Sequence, residues 1–311
     1  MRELAEIGVQ SAIEAAGIEN LESVFFTHHG QFVYKEARGR HAGYSLPEIG
    51  AHRGKLHRIL FDAAVSRLGA DKVHTGMRCT GYSQDDNGVH LNFLNAHNNT
   101  NVSVKAKIAV ACDGVNSAVR KQMHPTDALC FGGINTWRGV TIHPPILTGK
   151  SYLRIGTVEV GKMVIYPIVD NVDGKGNQLI NWVAELQKPN AVMNDWNRSV
   201  DPGVCAEIYK DFKFDFLNVP ELILKSEKVF EYPMVDKDAL PFWTQGRMTL
   251  MGDAAHPMYP RGSNGSAQAL IDARTLSDQL SKHSDPRDAL TEYESLRLST
   301  TAKVVETNRN V

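Results

Sequence analysis

Apolar residues recur with two different periods along this chain, and the switches between them mark its elements. Leu4, Ile7, Ile13 and Ala16 keep a helical spacing that is interrupted at Gly8 and ends near Gly17, which predicts a broken helix at the start. Val24, Phe25 and Phe26, then His29-Gly30, then Phe32 and Tyr34 predict two strands joined by a tight turn. His52-Arg53-Gly54-Lys55 opens a second helix, with Leu56, Ile59, Leu60, Ala63 and Leu68 on one face and Gly69 as its stop. From Val73 to Val110 the period falls to two. Val89, Leu91 and Phe93 alternate, and Asn87-Gly88 and Asn98-Asn99 supply turns, which together predict a β-meander. Ile108 to Cys112 is a continuous apolar strand, suited to a sheet covered on both faces, and it ends at Asp113-Gly114. Asn116 or Ser117 is placed to cap a short helix after it.

Between residues 130 and 235 the signals are extended: Trp137 to Thr141, Met163 to Pro167, Leu179 to Val183 and Val229 to Pro233 predict one mixed or antiparallel sheet. Pro144-Pro145 and Asp170 to Asn177 read as loops, and Asn218-Val219-Pro220 as the start of a short helix. Trp137, Tyr166, Trp182, Phe230 and Tyr232 can line an aromatic pocket, though aromatics on strands more often fill a core. Met248 to Met251 form a last short strand that stops at Gly252-Asp253, where a carboxylate can emerge at a sheet edge and accept hydrogen bonds from ligand hydroxyls. A turn at Gly262 to Gly265 follows. Ala267, Ala269, Leu270, Ala273, Leu276 and Leu280 then fall at helical spacing, so a helix amino end, which favours negative charge, faces the same crevice.

Composition narrows the class of ligand. The 34 basic and 35 acidic residues of this 311-residue chain nearly cancel, so no broad field marks a nucleic-acid or anionic-membrane partner, and a small or neutral ligand fits better. Cys79, Cys112, Cys130 and Cys205 form no C-x-x-C pair, which argues against zinc ribbons, thioredoxin-type chemistry and a disulfide framework. No apolar run reaches membrane-spanning length, and Met1 to Glu6 lacks the apolar core of a signal peptide; the protein reads as cytosolic. His28 and His29 read as turn residues, and no metal site is expected. The length allows one large or two medium domains.

The run from Gly246 to Gly265, with its Gly252-Asp253-Ala254-Ala255-His256-Pro257 centre, resembles the second flavin-contact motif of the class A FAD-dependent aromatic hydroxylases. Ala111-Cys112-Asp113-Gly114-Val115-Asn116-Ser117-Ala118-Val119-Arg120 resembles the same family's Asp-Gly motif, in the right order along the chain. Trp137 to Thr141, Asn181 to Val183, Asp195 to Arg198 and Tyr232 to Pro241 are similar to one branch, the phenazine hydroxylases and their relatives. The resemblance implies an α/β fold: an FAD-binding Rossmann-like sheet with a β-meander, interleaved with a β-rich substrate domain. It places FAD-binding segments at 1–19, 51–125 and 236–311, and the substrate domain at 20–50 and 126–235. The cofactor contacts it implies are Arg53, Asp113, Gly252, Asp253, Pro260, Gly262, Ser263, Asn264, Gly265 and Ser266. Asp253 would meet ribityl or ribose hydroxyls, and Gly262 to Ser266 would lie against the isoalloxazine. Asp113 can equally serve only to shape its turn. His256 and Tyr259, beside the flavin motif, are candidates for polar contacts, but are expected rather to shape the loop.

The family's opening strand, G-x-G-x-x-G turn and helix have no counterpart among Gly8, Gly17 and Gly30. Weak FAD retention and little oxygenase activity are therefore the expectation for these 311 residues. Three functions remain open on the sequence. The first is an FAD-dependent monooxygenase that uses NAD(P)H and dioxygen to hydroxylate a small aromatic or N-heteroaromatic compound. The second is a catalytically silent remnant. The third, a nicotinamide dehydrogenase, is disfavoured because no G-x-G-x-x-G follows a strand. No catalytic acid or base stands out.

Overall fold

In the computed structural model, which describes residues 1–188 and 198–310, the chain forms two compact units, each built from two separate segments. Residues 1–72 and 133–234 make unit 1; residues 73–132 and 235–311 make unit 2.

The first segment runs α1 (Arg2–Glu6), α2 (Gln10–Ala16), β1 (Gly17–Glu19), β2 (Glu22–Phe26), β3 (Phe32–Ala37), β4 (Ile49–Ala51) and α3 (Arg53–Leu68). The break between α1 and α2 falls at Gly8, whose φ of +67° suits glycine. The second segment carries the expected meander, β5 (Met77–Asp85), β6 (Gly88–Asn95) and β7 (Thr100–Ala106), then β8 (Ala109–Ala111) and α4 (Ala118–Met123). The long strand β9 (Leu129–His143) leads into β10 (Ser151–Thr157), β11 (Gly161–Val169), β12 (Gln178–Gln187), β13 (Arg198–Val200), α5 (Pro202–Ile208), β14 (Lys213–Phe214), β15 (Leu217–Asn218), α6 (Val219–Leu224) and β16 (Val229–Lys237). The chain closes with β17 (Thr244–Gln245), β18 (Met248–Leu250), α7 (Gly265–Lys282) and α8 (Pro286–Asn310).

One eight-stranded mixed sheet, in the order β13-β16-β9-β12-β11-β10-β2-β3, takes up most of the extended signals read between residues 130 and 235. Its two faces differ in kind. Trp137, Leu153, Ile155, Met163, Ile165, Ile180, Trp182 and Ala184 alternate onto one face, where Cys205 from α5, Tyr209 just after it, and Leu222 and Ile223 from α6 cover them. Trp137 and Trp182 are thus core residues, at 2% and 0% exposure. Burying each removes roughly 150–250 Å² from water, an upper limit of about 4–6 kcal/mol. The indole N–H of Trp182 donates to Ser226 Oγ at 2.9 Å and Thr141 Oγ1 at 3.2 Å, so the ring is held by its polar edge as well. Gly139 lies under that ring. A Cβ there would stand 2.5 Å from Trp182 Cζ2, which is why only glycine fits between Arg138 and Val140.

α3 departs from expectation. None of its side chains is fully buried, and Leu68, placed by its spacing on the core face, is 61% exposed in the last turn before Gly69. In unit 2 the expected strand 108–112 shortens to β8, part of a three-stranded sheet β17-β18-β8, with Trp243, Met248, Leu250, Leu276, Leu290 and Tyr293 in the core beside it. No helix of the described residues is long and apolar enough to cross a membrane, and none of their His, Cys, Asp and Glu side chains cluster as a metal site would require.

Candidate active site

Asp113 and Asp253 leave the same end of two neighbouring strands. β8 and β18 run parallel, with Ala109 opposite Met248, Val110 opposite Thr249 and Ala111 opposite Leu250, and the Met251 N–H continues the ladder to the Ala111 carbonyl at 3.0 Å. Met248 and Leu250 are fully buried, so the carboxyl ends of both strands are fixed by core packing. Each strand then turns at a glycine with positive φ, +80° at Gly114 and +59° at Gly252. At Gly114 a Cβ would meet nothing within 4 Å, so the demand is conformational. At Gly252 it would come within 3.3 Å of Ala269 Cβ, because the loop passes close over α7.

The two aspartates differ in what they do within the protein. Asp113 Oδ2 accepts the Ala118 N–H at 2.9 Å and Ser117 Oγ accepts the Arg120 N–H at 2.9 Å, so both cap α4, Ser117 being the cap of the two that the sequence offered. Asp253 lies exposed, and its carboxylate has no hydrogen-bond partner among the described residues. It is free to accept from a ligand.

The turn that leads to α7 lies beyond. Pro260–Gly262 form a short 3-10 turn, Ser263 has φ +51°, and Asn264 precedes the helix without a side-chain cap, leaving the first N–H groups of α7 without a side-chain acceptor. Pro260, Gly262, Ser263 and Ser266 are exposed, and Asn264 and Gly265 partly so. Asn308 on α8 pins this turn, donating to the Tyr259 carbonyl at 3.0 Å and to Asn264 Oδ1 at 3.3 Å.

Buried charges hold the loop from below, and most of them escaped sequence reading. The Arg120 guanidinium, fully buried, donates to Asp127 at 2.7 and 2.9 Å, to the carbonyls of Ala254 and Ala255 at 3.3 and 2.7 Å, and to the Asp238 carbonyl at 3.0 Å. It thereby ties the Asp-Gly segment to the Asp253 loop. Asp272, also fully buried, accepts the Gly252 N–H at 3.1 Å and Arg297 Nε at 2.7 Å and lies 2.5 Å from His256 Nε2. His256 and Tyr259, at 3% and 6% exposure, shape the loop from inside, as expected. One signal for Asp272 did exist: it shares the buried stripe of α7 with Leu276 and Gln279, and a carboxylate on such a stripe demands a charged partner.

Burial alone would raise the Asp272 carboxyl, but hydrogen bonds and charge from His256 and Arg297 hold it below its usual value. Asp127 is likewise lowered, burial being outweighed by Arg120 and Lys237. For a carboxylate depressed in the folded state, the stabilising contribution is complete above the unfolded pKa of about 3.9 and is lost as pH falls toward the folded value. Urea midpoints are therefore expected to be flat above about pH 5 and to fall below about pH 4, and Asp272→Asn should flatten that acid limb. An unchanged acid limb would refute this account.

Arg53 belongs to unit 1, as the first, exposed residue of α3 behind His52, whose Nδ1 accepts the Gly54 N–H at 3.2 Å. Its charge acts on Tyr166 and Tyr232, two aromatics on the sheet face opposite the tryptophan core. Burial, with a smaller contribution from Tyr152, pushes the Tyr166 phenol up to about 12 against the opposing pull of Arg53. Tyr166 stacks on Tyr152 at 4.9 Å between centroids, and Arg138 lies over Tyr232 and Phe230. Tyr166, Tyr232 and Phe230 therefore form a surface distinct from the core. Of the segments similar to the phenazine hydroxylases, Asp195 to Asn197 lie outside the described residues.

Residues 1–308 match the family model described as FAD binding domain. The chain is 36% identical over 315 residues to phenazine 1,6-dicarboxylic acid hydroxylase PhzS of Lysobacter antibioticus, covering 99% of this chain and 77% of that protein. The chain belongs to this FAD-dependent aromatic hydroxylase family. A second member, the 3-amino-4-hydroxybenzoate 2-monooxygenase PtmB3 of Streptomyces platensis, is 30% identical over 269 residues, 86% of this chain and 63% of its own length. The fold is shared with Klebsiella pneumoniae HpxO complexed with FAD and uric acid, at TM-score 0.79 and 21% identity, over 99% of this chain and 75% of that one. The chain thus spans between 63% and 77% of the length of these proteins.

As a member of the family the protein is a flavin-dependent monooxygenase with FAD as its cofactor. Its residues fit that group: a free carboxylate at Asp253, uncapped N–H groups at the start of α7, and glycines that open the backbone at positions 114 and 252. The carboxylate suits hydroxyl donors and the helix end suits partial negative charge.

Proposed function

We propose that the protein binds FAD through Asp253, the turn Gly262 to Ser266, Gly252, Pro260, Asp113 and Arg53, and hydroxylates a small aromatic or N-heteroaromatic compound with NAD(P)H and dioxygen as co-substrates. The observation that carries this reading is the parallel pairing of β8 with β18, which brings Asp113 and Asp253 to one sheet edge. Bound FAD supplies the redox and oxygen-activating chemistry. The protein's part is to receive cofactor hydroxyls at Asp253, to offer the α7 amino end to developing negative charge, and to hold the loop dry beneath with Asp272 and Arg120. That these two relatives are named as a hydroxylase and a monooxygenase favours an enzyme, and the silent-remnant reading finds no support in them.

We assign FAD contacts to 1–19, 51–125 and 236–311 and substrate contacts to 20–50 and 126–235. This division follows the motifs; by packing, residues 1–72 go with the large sheet, and residues 126–132 and 235 go with unit 2. A cytoplasmic location rests on four cysteines that form no disulfide. The test is to titrate the protein with FAD, follow the visible flavin spectrum, and measure NAD(P)H consumption with N-heteroaromatic acids. A flavin spectrum unperturbed by protein, together with no aromatic-dependent NAD(P)H consumption, would overturn the proposal.

A further inference from the structure

The outer side of α3 joins two aromatic rings to a surplus of positive charge. His57 and Phe61 stand one turn apart on that helix, with ring centroids 6.5 Å apart and planes 22° from parallel. That spacing is wide. Two other near-parallel pairs, Tyr152 with Tyr166 and Phe214 with Phe216, close to 4.9 and 5.4 Å, whereas the 6.5 Å of His57 and Phe61 is nearly twice the roughly 3.5 Å at which carbon atoms touch. His57 is exposed and Phe61 half-buried, in a helix with no fully buried side chain, so the gap between the rings is open to solvent.

Cations flank this gap. From His52 to Phe61 the chain carries Arg53, Lys55 and Arg58 and no carboxylate. Lys55 is exposed, with neither an ion pair nor a hydrogen-bond acceptor among the described residues, and the Arg58 guanidinium carbon lies 5.9 Å from the Phe61 centroid. Arg58 pairs with Asp62 at 2.8 Å, but both side chains are more than half exposed, and a phosphate displaces such a pair at small cost. The chain as a whole has a net charge of −1, so this local surplus suits one anionic ligand rather than a nucleic acid. A purine base stacks on aromatic faces, and phosphate oxygens suit a guanidinium fork and an ammonium. We propose that His57 and Phe61 clasp the adenine of NAD(P)H and that Lys55 and Arg58 receive its diphosphate. This rests on the hydroxylase reading above, and gives the reductant its own residues, distinct from those assigned to FAD.

The experiment titrates NAD+ and NADP+, which cannot reduce the flavin, calorimetrically into protein saturated with FAD. At least one of them is expected to bind the parent, and Phe61→Leu and His57→Ala should each weaken it about tenfold, since each removes one stacking surface. Lys55→Met combined with Arg58→Met should weaken it by about as much and flatten its dependence on salt. FAD affinity, read from the flavin absorption titration, should stay within about threefold of the parent in Phe61→Leu. Absence of binding by both nucleotides, undiminished binding in Phe61→Leu, or a tenfold loss of FAD affinity in that variant, which would give the gap to the flavin's own adenine, would each overturn the assignment. Aromatic-dependent NAD(P)H consumption is measured in parallel. Turnover with nucleotide affinity undiminished in Phe61→Leu leaves the hydroxylase reading standing and removes this one; ring-dependent nucleotide affinity without turnover does the reverse.

Discussion

Arg120→Met is expected to lower unfolding free energy by about 3–5 kcal/mol, the usual cost of breaking a buried ion pair from one side. The guanidinium is fully buried and meets four groups: the Asp127 carboxylate and the carbonyls of Asp238, Ala254 and Ala255. Methionine keeps much of the volume but supplies no donor. Asp127 would retain only Lys237, at 2.5 Å, and three carbonyls would lose a charged donor, those of Ala254 and Ala255 on buried residues. Two of those carbonyls belong to the residues that follow Asp253, so flavin affinity should fall along with stability. Urea unfolding monitored by tryptophan fluorescence gives the first quantity and flavin titration the second. A stability loss under about 1 kcal/mol would mean that the network is dispensable.

Asp253→Ala should do the opposite, leaving stability within about 0.5 kcal/mol of the parent while weakening FAD binding by roughly tenfold to a hundredfold. The carboxylate is exposed and has no partner among the described residues, so folding gains little from it. A hydrogen bond to a charged acceptor is worth about 1.5–3 kcal/mol, which sets the range for the loss of a hydroxyl contact. Equal FAD affinity in the variant and the parent, read from the flavin absorption titration, would remove Asp253 from the site. Together the two substitutions separate the residues that build the loop from the one that the loop presents.

What could be read in advance depended on how local its cause was. The meander, the α7 start and the strand ends at Asp113 and Asp253 are written in neighbouring residues: Asn87-Gly88, Gly262 to Gly265, and apolar runs that stop at Asp-Gly or Gly-Asp. The parallel pairing that makes those strand ends into one edge joins distant segments, and only the family motifs hinted at it. The supporting charges were less legible. Arg297 and Asp272 meet because α7 and α8 pack side by side, and nothing near either residue announces the other. Trp182 and Tyr166 look alike on strands, yet one is core and the other lies on the opposite face, because strand alternation sorts them and short strand boundaries leave its phase open.

The pairing of β8 with β18 also sets an order of assembly. Everything from β9 to β16 is synthesised between these two partners, so a nascent chain holds β8 without its one strand partner until residues 248–250 have been made. Closing so long a loop costs little in final stability, since the entropic penalty grows only logarithmically, but contacts so distant in sequence form late. The large sheet can mature while the segment carrying Asp113 waits. Chains interrupted after β16 would therefore carry a folded sheet and a short, apolar, unpaired strand, the combination that invites association between copies during synthesis.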